Sequence, residues 1–171
     1  HSEQESLDYN FSRFLGEIRI KLAESIIRNN RYGDLDLVSS FVQTIINRIL
    51  FIRVCESKGL EKEGLLLDYM NDDFWTCFKN SSYFEFYEHY DGPMFNRINH
   101  LQSLVVDNDT LGDFVSKLYY PSPYRFDVIP VKTLSDIYDL FLGYRLVLNN
   151  GVVSDQLKEE VKKSNGAVTT P

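Results

Sequence analysis

With 171 residues, 43% of them hydrophobic and 14% aromatic, the chain can bury one sizeable core. A formal net charge of −7, with no basic run before Lys162-Lys163, speaks against a surface that grips nucleic-acid phosphates by itself. No apolar run reads as long enough to span a bilayer and no signal peptide is visible, which points to a cytoplasmic protein with no membrane partner. Cys55 and Cys77, far apart and flanked by large apolar residues, then read as buried free thiols rather than a disulfide.

Residues 1–5 read as a frayed start. The spacing of Phe11, Phe14, Leu15, Ile18, Leu22 and Ile26 predicts a helix over 6–29, with Arg13, Glu17, Lys21 and Glu24 outside. Asn29 to Asp34 is turn-like, and Asp34 is placed to cap a second helix. The stretch 35–58 is the expected centre of the fold. Val38, Phe41, Val42, Ile45, Ile46 and Ile49 form its apolar stripe, and Ser39, Gln43, Asn47 and Arg48 lie on the opposite face. That polar face gives way to Phe51 and Ile52, so the second half should be covered on every side. Arg53 and Glu56 prolong the stripe, three residues apart on one face. They are expected to form a structural ion pair, because a lone buried charge is costly. Gly59 should end the helix.

Beyond it, LLLDYM and DDFWTCF predict two short helices parted near Asn71, with Phe74, Trp75 and Phe78 as lids on the core. The aromatic run Tyr83 to Tyr90 has rings able to stack on bases, but no Lys or Arg beside it, and reads as core. Asp91-Gly92-Pro93 is a turn before one more helical turn. Asp109 should cap a helix over 110–120 that Pro121 and Pro123 stop. Tyr124 to Val128 reads as extended, and Thr133 opens a helix carrying Leu134, Ile137, Tyr138 and Phe141 that Gly143 ends. Asn149-Asn150-Gly151 signals a hairpin turn, and Ser154 is placed to cap a last charged helix to Lys163. The fold class expected is all-α, a multi-helix bundle around the central helix near 35–58, with one small β-hairpin near the C-terminus.

Chemistry is sparse. Glu56-Ser57-Lys58 spells the Glu-x-Lys of metal-dependent nucleases, but at a helix end and with no Asp shortly before it. Glu85, Glu88, His89 and His100 match no compact metal-site spacing and read as surface residues. No glycine-rich phosphate loop, Ser-His-Asp set or Cys-His set appears. The residues thus suggest no catalytic group and no metal within this chain.

Two separated stretches do resemble something specific. NRILFIRVCESKGL is similar to a signature in the helical region of large bacterial restriction-modification enzymes. These are single-chain adenine-specific DNA methyltransferases, many fused to an endonuclease (the Type IIG and related group). Asn47, Arg48, Phe51, Arg53, Glu56, Gly59 and Leu60 carry that match. YRFDVIPVKTLSDIYDLFLG resembles the later part of the same region through Phe126, Ile129, Pro130, Leu134, Ile137, Tyr138, Phe141 and Leu142. A third stretch, Gly166 to Pro171, resembles the Gly-x-Tyr-Tyr-Thr-Pro that opens the methyltransferase domain of this family and lies against S-adenosylmethionine.

The resemblance implies a helical connector over 1–163 and the start of a truncated methyltransferase domain at 164–171. Gly166, Thr169, Thr170 and Pro171 would then contact S-adenosylmethionine, only in the full-length protein. The connector itself would carry no cofactor and no turnover. DNA, modified at adenine N6, would be met through the missing domains. The neighbours would be a methyltransferase and, in fused forms, a nuclease, in the cytoplasm of a bacterium. Two alternatives stand beside it: a free-standing helical protein-interaction module using Tyr83 to Tyr90, and a small metal nuclease using Glu56 and Lys58.

Overall fold

The computed structural model describes residues 2–122, alternate positions from 124 to 132, and 144–158, with only the backbone described for 2–8 and for Tyr144. The chain forms α1 (Ser2–Asn30), α2 (Leu35–Ser57), α3 (Leu65–Met70) and α4 (Phe74–Ser81). A π-helical turn (Ser82–Phe86) then runs on into α5 (Tyr87–His89). After 3-10 turns at Pro93–Phe95 and Leu101–Ser103 come α6 (Asn108–Ser116) and a hairpin of β1 (Tyr144–Asn149) and β2 (Val152–Leu157). The protein is mainly α with one small C-terminal hairpin, the class its periodicity predicts.

The core is built on α2. Val38, Phe41, Val42, Ile45, Ile46, Ile49 and Ile52 are all buried, against α1 on one side and α3, the Pro93–Phe95 turn and β1 on others. By length and composition α2 is also apolar enough to cross a bilayer, which corrects the expectation that no run reaches that length. In this fold its stripe is covered by protein instead. The expected cap is present: the Asp34 carboxylate accepts the N–H groups of Asp36 (3.0 Å) and Leu37 (3.2 Å). The far end closes in a Schellman motif, with Gly59 at φ +76°, its N–H donating to Glu56 O (3.1 Å) and the Leu60 N–H to Cys55 O (2.9 Å).

Helix α1 begins at Ser2 rather than at residue 6, so the expected frayed start is helical. Its inward face carries Phe11, Leu15, Ile18, Leu22 and Ile26 as predicted. Gly16, an otherwise costly choice inside a helix, lies where β2 comes closest: a Cβ there would sit 3.0 Å from Asp155 Oδ2. Asp155 also pairs with the buried Arg19 of α1 at 3.9 Å, fastening the hairpin to the first helix. The hairpin turn is Asn150-Gly151, both with positive φ (53° and 79°), the requirement of a type I′ turn.

Several expectations are corrected. Ser154 does not cap a helix; it pairs with Val147 inside β2, because the Asn-Gly turn sends the chain straight back along β1. The segment 159–163 and the helix expected from Thr133 lie outside the described residues. Helix α6 starts at Asn108, which puts Asp109 in the first turn rather than at the cap, and it ends at Ser116. Phe126 and Val128 stand in turns, not in an extended piece; Phe126 is drawn inward by Phe11, 5.6 Å away edge to face. Cys55 is a buried free thiol, whereas Cys77 is half-exposed.

Asp73 joins two helices. Its carboxylate accepts the Thr76 N–H (3.1 Å) as the α4 cap and the Asn108 side-chain amide (3.0 Å), while Asn108 Oδ1 accepts the Trp75 N–H (2.9 Å). The Thr76 backbone bond, then the Asn108 bond, hold the Asp73 carboxyl below its ordinary pKa. A depressed folded pKa contributes stability that is present above the unfolded value, about 3.9, and is lost as pH falls through the lower folded one. Asp73→Ala is expected to cost about 1 kcal/mol at neutral pH. The difference from wild type should shrink on acidification below about pH 4, as urea denaturation across that range would show.

Candidate functional site

The charged end of α2 gathers the residues that the sequence singles out. Glu56 is 5% exposed, yet both its oxygens are engaged. Oε1 accepts the Gly64 N–H at 2.7 Å, and Oε2 accepts the Tyr119 hydroxyl at 2.5 Å with the Leu66 N–H 3.5 Å away. Gly64 and Leu66 open α3, whose N-cap residue is glycine and offers no side chain of its own. Glu56 therefore does for α3 what a capping aspartate would do, placing a carboxylate on the orphan N–H groups of the first turn.

Arg53 turns the other way. Its Nε donates to Leu118 O (2.9 Å), just past the end of α6, and its guanidinium lies 4.3 Å from the Tyr119 ring centre and 5.5 Å from that of Phe126. The expected Arg53–Glu56 ion pair is thus not formed. The helical spacing is right, but each group meets a backbone end that needs it more. Tyr119 joins the two instead, its face under the cation and its hydroxyl on the carboxylate. Burial and the bond to Glu56 push the Tyr119 phenol well above its usual pKa, so it remains a donor at physiological pH.

A third charge on α2 behaves likewise. Arg48, expected on the polar face, is only 6% exposed because the Pro93–Phe95 turn covers it. It donates to Met94 O (2.9 Å) and Asn96 O (2.6 Å), and its guanidinium lies 5.3 Å from the Phe95 ring centre. Burial lowers its pKa to about 10, which leaves it charged at neutral pH.

The other sequence candidates are not brought together. Lys58 is exposed at the helix end, while Glu56 faces inward. Glu85, Glu88, His89 and His100 are all exposed, and among the described residues no three His, Cys, Asp or Glu side chains converge as metal ligands would. Gly166, Thr169, Thr170 and Pro171 lie outside the described residues.

The aromatic run is only partly core. Phe86 is buried, but Phe84 and Tyr87 are 59% and 43% exposed. Sequence inspection finds no cation beside these rings. The fold supplies one: Arg97, returning past the Asp91-Gly92-Pro93 turn, sits 4.1 Å from the Tyr83 ring centre and 4.0 Å from that of Tyr87, and donates to Tyr83 O at 3.1 Å. The one local hint is that turn, which reverses the chain. Tyr119 has no such hint, since it lies far from Glu56 in sequence.

The chain is similar to the Type II restriction enzyme and methyltransferase RM.Eco57I of Escherichia coli, 29% identical over 170 residues that make up 97% of this chain and 17% of that protein. It therefore spans less than a fifth of the length of the relative it matches. No family model matches the sequence, and no solved structure does. The similarity relates the chain to restriction-modification enzymes.

Tyr119→Phe removes a donor from a buried carboxylate and should destabilise the protein by about 2 kcal/mol. Tyr120→Phe, on the neighbouring side chain that is 87% exposed, should leave the urea midpoint unchanged. Equal midpoints for the two variants would refute the role given to Tyr119.

Proposed function

We propose that this chain is the helical spacer of a restriction-modification enzyme that methylates DNA at adenine N6, and that it performs no catalysis itself. One observation carries the reading: similarity along 97% of the chain to a restriction enzyme and methyltransferase. The geometry supports it, because the charged residues of the matching stretch are engaged with the chain's own backbone. Arg48 holds the Pro93–Phe95 turn, Arg53 the end of α6, and Glu56 the start of α3.

In this reading residues 1–163 set the distance and orientation of neighbouring domains, and 164–171 lead into the methyltransferase. There Gly166, Thr169, Thr170 and Pro171 contribute to the S-adenosylmethionine pocket. DNA is bound by those neighbours, which suits the acidic balance of this segment. The whole protein works in the bacterial cytoplasm. A second reading, a free-standing interaction module, is favoured by the exposed Phe84 and Tyr87 with Arg97.

Two measurements separate the readings. The reading frame is expected to continue past Pro171 into an Asn-Pro-Pro-Tyr-type motif; a frame that stops there favours the module. The 171-residue chain is expected to transfer no label from radioactive S-adenosylmethionine to an adenine-containing duplex. It should also show no tight, stoichiometric uptake of the cofactor by calorimetry. Methyl transfer or tight cofactor binding by this chain alone would overturn the spacer reading.

A further inference from the structure

Phe84 and Tyr87, in and just after the π-helical turn, leave much of their rings in solvent, and Ile98 beside Arg97 is exposed as well. Phe84 meets Tyr83 edge to face, 4.9 Å between centres, and the Arg97 guanidinium lies against both Tyr83 and Tyr87, so the group is continuous. Arg97 Nε and Nη2 both donate to Tyr83 O, at 3.3 and 3.1 Å. Among the described residues Nη1 makes no hydrogen bond and the guanidinium meets no carboxylate. The cation is thus held in place without being neutralised, and a side chain ordered in advance loses little freedom when a carboxylate arrives. Turns of π-helix are rare and recur at functional sites. Tyrosine and arginine together are typical of the energetic centres of protein interfaces.

Charge selects the partner. Between Tyr83 and Ile98 the exposed carboxylates are Glu85, Glu88 and Asp91, against the one guanidinium of Arg97. A nucleic acid would bring its phosphates up to three carboxylates. A second copy of this chain would offer one guanidinium for the same three. The patch is also small beside the roughly 20–30 residues a side of a stable free-standing complex. A neighbour in the same polypeptide needs less contact, because the tether raises its effective concentration. In RM.Eco57I the matching segment is 17% of one polypeptide, with the rest tethered to it.

On the spacer reading given above, we propose that Tyr83, Phe84, Tyr87 and Arg97 form the docking surface for a neighbouring domain of the same protein. That domain presents apolar side chains to the rings, a carboxylate to Arg97 Nη1, and basic residues to Glu85 and Glu88.

The test is hydroxyl-radical footprinting, which reads side-chain exposure, on the product of the whole reading frame and on the 171-residue chain. Oxidation of Phe84 and Tyr87 should be several-fold slower in the longer protein. Glu88→Lys, a change at an exposed side chain, should restore much of that oxidation in the longer protein. If that variant does not fold, the wild-type comparison decides. Equal oxidation in the two proteins would overturn the proposal, as would protection that Glu88→Lys leaves intact. Protection that appears only when DNA is added, or that the 171-residue chain shows and loses on dilution, would assign the patch to nucleic acid or to a second copy and overturn it too. A frame without the Asn-Pro-Pro-Tyr-type motif would defeat the spacer reading and this proposal together. A frame that has the motif but leaves Phe84 unprotected would defeat the docking surface alone.

Discussion

Three charged side chains on one buried helix have to be satisfied before anything else in this fold can settle. Leaving a carboxylate or guanidinium buried and unpartnered costs several kcal/mol. A hydrogen bond to a charged group contributes about 1.5–3 kcal/mol, so partners of good geometry decide whether α2 can sit where it does. The partners here are mostly backbone groups. Glu56 accepts from the first turn of α3, Arg53 donates beyond the last turn of α6, and Arg48 donates to the carbonyls that flank Phe95. Each is a place where a helix or turn leaves N–H or C=O groups without a regular partner. The central helix thus solves two problems at once: its own buried charges, and the loose ends of short elements too small to stabilise themselves.

Aromatic rings complete the same arrangement. Phe74 and Phe78 stack at 5.6 Å, and the rings of Phe86, Tyr90, Phe95 and Phe51 lie about 5–6 Å apart, centre to centre, in a continuing row. They give the irregular stretch between α4 and α6 a wall to lean on. At the other end of α1, Phe11 and Phe14 pack on Tyr124, and Phe126 closes over Phe11. Tyr119 belongs to both systems, a ring under one charge and a hydroxyl on another. That double duty explains why the pair of opposite charges can lie near each other without touching.

Local patterns made much of this legible. The stripes of α1 and α2, the Asp34 cap, the Gly59 stop, the break at Asn71 and the Asn150-Gly151 turn all arise from spacing and turn chemistry within a few residues. The features that were not legible depend on segments remote in sequence. Arg48 reads as exposed until the Pro93–Phe95 turn covers it. Arg53 and Glu56 read as partners until α6 and α3 claim them separately. The aromatic run reads as lacking a cation until the chain reverses and lays Arg97 over Tyr83 and Tyr87. The π-helical turn at Ser82–Phe86 has no period of its own to read, since its residues would fit an ordinary helix equally well.

The stretch that resembles the restriction-modification signature obeys the same physics. Its apolar positions could be exchanged among residues of similar volume at modest cost. Its polar and glycine positions could not. Arg48, Arg53 and Glu56 each answer a specific gap in the backbone of another element, and Gly59 adopts a left-handed conformation that other residues reach only with strain. Through these contacts the helix fixes where the Pro93–Phe95 turn, α6 and α3 stand. What α2 contributes to the fold is therefore two things together, an apolar stripe for the core and a partner for the loose end of each short element around it.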